Sequence, residues 1–373
     1  MTTPGISDSS RREALGGSSR VRPADVPGLY PFIGLPSSVV NDSAQVIVIT
    51  GASSGIGRET ALEFGRRGGH VVAAARNREA LETLAAEIHR IGGEALPVVT
   101  DVSDFAQMAA LARQAVERFG RIDIWVNNAA VSTYGTVEQM EAEEIHRVVE
   151  VNLMGQIYGV KAALPYLRES GGTIINVSSA LAERAIPLQA AYCAAKHGIV
   201  GFGEALRLEL RADGSRIRVV DVLPSSINTP LFTHARSKIG VKPKPVGRIY
   251  EPSVVAEAVV MAAQRPVREV YAGFAGRMLT IGQRISPRLT DWYLSGPGDA
   301  VGGQRTSHPD EGTDNLFSSS TGPGSTTGDF GERSKSTSVY TRLVAPHPAS
   351  VRAAVMAGVA GAAIVLRRAG RHR

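Results

Sequence analysis

Short apolar runs alternate with longer amphipathic stretches through the middle of this chain. The run AQVIVIT (44–50) is rich in β-branched residues and lacks polar alternation, the pattern of a strand buried on both faces. Comparable runs occur at HVVAAA (70–75), ALPVVT (95–100), IDIWVN (122–127), GTIINVS (172–178), RIRVVDV (216–222) and REVYAG (268–273). Between them, stretches such as 77–91 and 104–119 repeat their apolar residues at helical spacing. Regular strand–helix alternation predicts an α/β fold, a doubly wound parallel sheet with helices on both faces, as a single domain over 45–295.

The two ends of the chain read differently. Residues 1–44 are rich in Ser, Gly, Pro and Arg, so a flexible leader is expected, with GLYPFIGLP (28–36) as an apolar patch able to dock on the body. SRREAL (10–15) has the two arginines of an export signal, but no apolar core or small-residue cleavage site comes after it. Composition changes again near residue 295. Gly, Ser, Thr, Asp and Pro dominate the chain beyond that point, and 296–349 is expected to be a disordered linker. The last segment, 350–373, contains an uncharged stretch from Ala353 to Leu366 between Arg352 and Arg367. As a helix it would span about 21 Å, short of a hydrocarbon core of about 30 Å. A membrane-spanning anchor, an interfacial helix and a soluble or docked helix are the three readings of it.

Charge and cysteine content narrow the function classes. The formal net charge is +6, from 41 basic and 35 acidic residues, with no dense basic block in mid-chain, so nucleic-acid binding is not expected. The single cysteine, Cys193, cannot form an internal disulfide, and no His/Asp arrangement marks it as a nucleophile. The eight His have no metal-ligand spacing, and no metal site is expected. The expected location is cytoplasmic, with membrane association through 350–373 as the alternative.

The first strand runs into TGASSGIGRE (50–59), where Gly51, Gly55 and Gly57 sit at a strand-to-helix junction. A tight turn there brings backbone N–H groups and a helix N-terminus against an anion, the arrangement of a Rossmann-type dinucleotide site. The end of the second strand bears on the choice of nucleotide. It reads VVAAARNRE, with Ala75 where an acid would hold a ribose 2′-hydroxyl and Arg76 next to it, able to grip a 2′-phosphate with Arg58 in support. NADP is therefore expected in preference to NAD.

The stretch AAYCAAK (190–196) sets Tyr192 four residues before Lys196, on one face of a helix. A phenol titrates near pH ~10, and an adjacent ammonium stabilises its anion, so the pair is a candidate acid/base. The spacing alone also suits an ordinary helix surface.

Over about 45–275 the chain resembles the short-chain dehydrogenase/reductase family. The ordered set TGASSGIG (50–57), DV (101–102), NNAA (127–130), VNLMG (151–155), INVSS (175–179) and YCAAK (192–196) carries the resemblance. It implies that Gly51, Ser53, Ser54, Gly55, Ile56 and Gly57 hold the dinucleotide, and that Asp101 and Val102 approach its adenine. It also implies that Asn127 steadies the central strand beside the cofactor and that Asn152, at a helix kink, holds a water of a proton relay. By the same resemblance Ser179, rather than Ser178, orients substrate, Tyr192 is the general acid/base, and Lys196 also bonds the nicotinamide ribose. Ala130 and Ser225 stand where the family usually has Gly, which suits a cofactor only if their φ stays negative.

The expected function is an NADP(H)-dependent carbonyl reductase or alcohol dehydrogenase. An inactive nucleotide-binding scaffold and a membrane-tethered regulator are the alternatives. Ile227, Leu231 and Phe232, and then IGVKPKPVGRIY (239–250), suggest a partly apolar lid and hence an apolar ketone or secondary alcohol as substrate. Phe274, Met278, Ile281, Ile285 and Trp292 recur at helical spacing, with Pro287 expected to kink or end that helix. They read as a helix covering the core, a subunit contact or a lipid-facing surface. The family resemblance implies a homo-oligomer packing through the helices around 104–120 and 141–169.

Overall fold

The computed structural model describes residues 44–265 and 267–344. The expected leader, apart from Ala44, lies outside the described residues. So does the whole of 350–373 with its membrane readings. Among the described residues no helix is long and apolar enough to cross a membrane.

All seven apolar runs form strands of one parallel sheet: β1 (Val46–Thr50), β2 (His70–Ala75), β3 (Glu94–Val99), β4 (Ile124–Asn127), β5 (Gly172–Val177), β6 (Ile217–Pro224) and β7 (Glu269–Ala272). Their order across the sheet is β7-β6-β5-β4-β1-β2-β3. The order reverses direction between β1 and β4, and there the loops at the strand C-termini part to leave a crevice.

Side-chain alternation sorts the core into two layers. Ile47 and Ile49 of β1 join one buried cluster with Phe64 of α1 (Gly55–Arg66), Leu84 of α2 (Arg78–Arg90) and Val255 of α7 (Pro252–Gln264). Val46 and Val48 face the other way. They join Leu111 of α3 (Phe105–Phe119), Val160 of α5 (Gly155–Ser170) and Leu206 of α6 (Ala190–Ala212). Each fully buried Val, Leu or Ile side chain stabilises the fold by about 1.5–3 kcal/mol relative to exposure, so the alternation fixes strand register. Helix α4 (Ala142–Val149) runs into α5 through a π-helical turn, Glu150–Met154, so the expected kink at Asn152 is one inserted residue.

Two expectations need correction. The apolar positions from Phe274 to Trp292 fall on α8 (Phe274–Ile285) and α9 (Pro287–Ser295), divided at the N-cap Ser286 with Pro287 opening the second helix. Of that stripe Phe274 packs against the core, whereas Ile285 is 79% and Trp292 60% exposed, so the stripe covers the core only at its start. Along 296–349, the residues through 344 do not behave as a free linker. Arg305–Pro309 pairs antiparallel with Val241–Pro243, Ser334–Lys335 pairs parallel with Ile249–Tyr250, and Leu316 is fully buried. Backbone hydrogen bonding, which Gly, Ser and Thr supply as well as any residue, does here what apolar burial does elsewhere.

Candidate active site

At the C-terminal end of β1 the chain turns through Gly51 (φ +68°) and Gly55 (φ +56°) into α1. These are left-handed conformations that glycine adopts without steric cost. Gly57 meets a different demand: a Cβ there would fall on the Gly51 carbonyl oxygen, so only glycine lets α1 sit this close to the turn. The loop after β4 is stapled to the same turn. The Asn128 amide donates to the carbonyls of Thr50 (3.0 Å) and Gly51 (3.2 Å), and the Thr50 hydroxyl accepts from the backbone N–H groups of Asn128 (3.0 Å) and Ala129 (3.2 Å). Sequence alone does not single out Thr50 and Asn128, although both lie inside the motifs TGASSGIG and NNAA.

Asn127 takes the opposite face of its strand. Its Oδ1 accepts from the Trp125 indole (2.8 Å) and its amide donates to Asn176 (3.1 Å). Asn176 donates in turn to Asp221, which pairs with Arg207. Asn127 is thus part of a buried polar ladder across β4, β5 and β6. It does not line the cavity, where Asn128 stands instead.

The crevice holds a cavity of about 710 Å³. Gly51, Ser53, Ser54, Gly55 and Ile56 form one wall and Arg76, Asp101 and Val102 a second, while Ser179, Tyr192 and Lys196 lie at the far end. Gly57 and Asn152 stay behind the walls. Asn152 is fully buried, and its amide bonds both ways to the Val131 backbone, accepting from the N–H (2.8 Å) and donating to the carbonyl (2.9 Å). It therefore holds the loop that carries Ala130 and Val131. Ala130 and Ser225 both keep negative φ, as the two departures from the family pattern require. Ser225 accepts from the Gly276 N–H (2.8 Å) and so ties the start of α8 to the end of β6.

Helix α6 presents Tyr192 and, one turn on, Lys196; its flanking residues Ala191, Cys193 and Ala195 are small and buried, so it packs tightly against the sheet edge. The Lys196 ammonium donates to the Val177 carbonyl (2.8 Å) and the Ser178 hydroxyl to the Lys196 carbonyl (3.1 Å), a reciprocal tie between α6 and β5. Ser178 is thereby engaged, and Ser179 is the serine that shares a hydrogen bond with Tyr192. Ser179 Oγ also accepts from the Leu181 N–H (3.1 Å), so both Tyr192 and the start of the next turn fix its position.

The electrostatics differ from the expectation that Lys196 lowers the Tyr192 phenol. Burial dominates both groups: it pushes the phenol well up, against the pull of the Ser179 hydrogen bond, and brings the Lys196 ammonium down to about 7. The ammonium lies 5.5 Å from the centre of the Tyr192 ring and points at a carbonyl, so its charge is poorly placed to help the phenol alone.

At the opposite end, burial lowers Arg76, with Asp101 opposing that shift, and the guanidinium donates to the carbonyls of Asn315 (2.5 Å) and Phe317 (3.2 Å). Asp101 is held below the usual carboxylate range by Ser103 and Arg147, which outweigh its burial. Arg58 is withdrawn from the site: it is buried, donates to the Ala80 carbonyl (3.0 Å) and pairs with Glu87. Helix register turns it toward α2 and away from any phosphate. Among the described residues no cluster of His, Cys, Asp or Glu could hold a metal ion.

The cavity fits a dinucleotide on its own features: two glycines in left-handed conformations, a third that no side chain could replace, and a long groove ending at a phenol. Comparison with known proteins agrees. The family model for short chain dehydrogenases matches residues 45–240. An uncharacterized oxidoreductase of Bacillus subtilis, YxnA, is 40% identical over 250 residues, 66% of this chain and 70% of its own. A short-chain dehydrogenase/reductase from Burkholderia phymatum, solved in complex with NAD, is similar with a TM-score of 0.61 at 26% identity, covering 66% of this chain and 95% of that one. The alcohol dehydrogenase of Thermococcus sibiricus, complexed with 5-hydroxy-NADP, matches with a TM-score of 0.55 at 29% identity, covering 61% of this chain and 96% of that one. The chain therefore belongs to the short-chain dehydrogenase/reductase family, and is an oxidoreductase that acts on alcohols or carbonyls with NAD(P).

Proposed function

We propose that this protein is an NADP(H)-dependent enzyme that interconverts a carbonyl and a secondary alcohol on an apolar substrate. The observation that carries the reading is the placement of Tyr192, Ser179 and Lys196 at one end of a groove that begins at the phosphate turn. Ser179 donates to the substrate oxygen and steadies the negative charge that grows there. Tyr192 gives its proton to that oxygen in reduction and takes it back in oxidation. Lys196 holds the ribose side of the cofactor and, while protonated, favours the phenolate. When bound, the nucleotide supplies the hydride donor or acceptor and, oxidised, a positively charged ring beside the phenol.

The preference for NADP rests on the end of β2, where Ala75 offers no carboxylate and Arg76 lines the cavity. Replacing Arg76 with Ala is expected to raise KM for NADPH about 10- to 100-fold, the loss of one or two charge-assisted hydrogen bonds. KM for NADH should rise by a smaller factor, since NADH has no 2′-phosphate to lose a partner and is affected only through the Asn315 and Phe317 contacts that Arg76 also makes. Equal losses with both nucleotides would show that Arg76 is only a structural partner of the Asn315 and Phe317 carbonyls.

The apolar substrate class rests on Leu181, Ile186, Ile227, Leu231, Phe232 and Leu279, which line the same cavity as Tyr192. Purified protein should oxidise NADPH in the presence of apolar ketones. Turnover confined to small polar carbonyls such as sugars would overturn this class. Tight nucleotide binding with no turnover of any carbonyl or alcohol would instead support a scaffold.

A further inference from the structure

The Gly/Ser/Thr-rich chain after α9 tracks the groove from one end to the other. Asp314 pairs with Arg236 (2.8 Å). The carbonyls of Asn315 and Phe317 accept from Arg76, and that of Leu316, whose side chain is fully buried, accepts from Arg147 (3.2 Å). Next, the Gly322 carbonyl accepts from the Asn77 amide (3.0 Å), and the Ser325 carbonyl from the Gly55 N–H at the head of α1 (2.9 Å). Past the turn, the Gly328 N–H donates to the Asn228 carbonyl (3.3 Å) and the Phe330 N–H to the Asn228 side chain (2.9 Å). The Phe330 ring then meets Phe232 edge-on, with centroids 5.8 Å apart.

The segment thus bonds successively to the residues at the β2 end, the phosphate turn and the loop after β6. With these contacts in place the cavity of about 710 Å³ remains, and Asn315, Ser319 and Ser320 are among the residues that line it. That volume is within the usual range for small-molecule and cofactor sites. Two glycines let the strap lie this close: a Cβ at Gly324 (φ +75°) would strike the Ser53 carbonyl oxygen, and one at Gly328 would strike the Thr229 carbonyl.

We propose that residues 314–330 form the outer wall of the dinucleotide groove, so that the nucleotide is held between the phosphate turn and this strap and leaves only when the strap lifts. The proposal rests on the reading of the groove as a nicotinamide nucleotide site. Arg76 then serves two partners, tethering the strap by two of its N–H groups with others left for the nucleotide. Cofactor exchange, rather than chemistry, becomes the step that this strap controls.

The test compares the full-length protein with its Gly324→Val and Gly328→Val variants, which push the strap off its seat without touching the catalytic end. Bound NADPH, and NADH in parallel, is chased with excess unlabelled oxidised nucleotide in a stopped-flow instrument and its release is tracked by fluorescence. Release at least about tenfold faster from the variants, with a weaker Kd, is the expected result for a lifted lid. An unchanged release rate, or tighter binding because the strap competes for the groove, overturns the proposal. Should a variant fail to fold, hydrogen exchange on the unmodified protein decides: NADPH must slow exchange of amides across 314–330, and no protection there overturns the wall. Failure of every protein to bind either nucleotide would count against the reading of the groove itself.

Discussion

Tyr192→Phe should lower kcat/KM by about 10³-fold while leaving nucleotide affinity and thermal stability nearly unchanged. General acid/base catalysis by a positioned group contributes about 10²- to 10⁴-fold, and here the phenol is the titratable group bonded to Ser179 at the end of the groove. Phenylalanine keeps the ring that joins the buried layer with Ala191 and Leu206, and deletes only the hydroxyl. The rate is read from the disappearance of reduced nicotinamide absorbance at substrate concentrations well below KM. Retention of a tenth or more of the activity would assign the proton to another group, and His234, which also lines the cavity, would be the first to examine.

Lys196→Met should abolish turnover and yet stabilise the nucleotide-free protein at acidic pH. Lysine in the unfolded chain titrates near pH ~10.4, whereas burial brings Lys196 down to about 7 in the fold. Between those values the unfolded state binds the extra proton, so the stability of the unmodified protein rises with pH across that window. Below about pH 7 the whole penalty is in place, at most about 5 kcal/mol for a shift of this size, less the Val177 hydrogen bond that methionine cannot make. Urea unfolding at about pH 6 and about pH 10 would therefore show a gap in favour of the Met variant that is widest at the acidic end and closes at the basic end. A gap that does not vary with pH would mean that Lys196 remains fully charged in the fold.

Continuous apolar runs made the sheet legible in the sequence because parallel strands buried on both faces leave no polar positions to blur them. Strand ends moved by at most two residues: 122–127 became Ile124–Asn127, and 216–222 became Ile217–Pro224. The phosphate turn was legible because its glycines are imposed by backbone sterics that no other residue satisfies. Facing was harder to read. Asn127 and Asn128 are adjacent and chemically identical, and only the pleat of β4 sends one into the ladder with Asn176 and the other to Thr50 and Gly51. Arg58 has the sequence position of a phosphate ligand, beside the turn, yet it lies on the buried side of α1 and pairs with Glu87. The strap over the groove is invisible to composition because its attachments run through main-chain groups.

The π-helical turn at Glu150–Met154 makes chain length itself a part of the site. One extra residue between α4 and α5 is what rotates Asn152 inward to clasp both backbone groups of Val131. Without that residue the two helices would join as a single regular helix, with better local hydrogen bonding, and every side chain beyond the join would turn by about 100°. Local helical order and an intact loop beside Tyr192 are therefore opposed here. Substitution at neighbouring positions changes a side chain, whereas a single deletion changes which face of the helix the cavity sees.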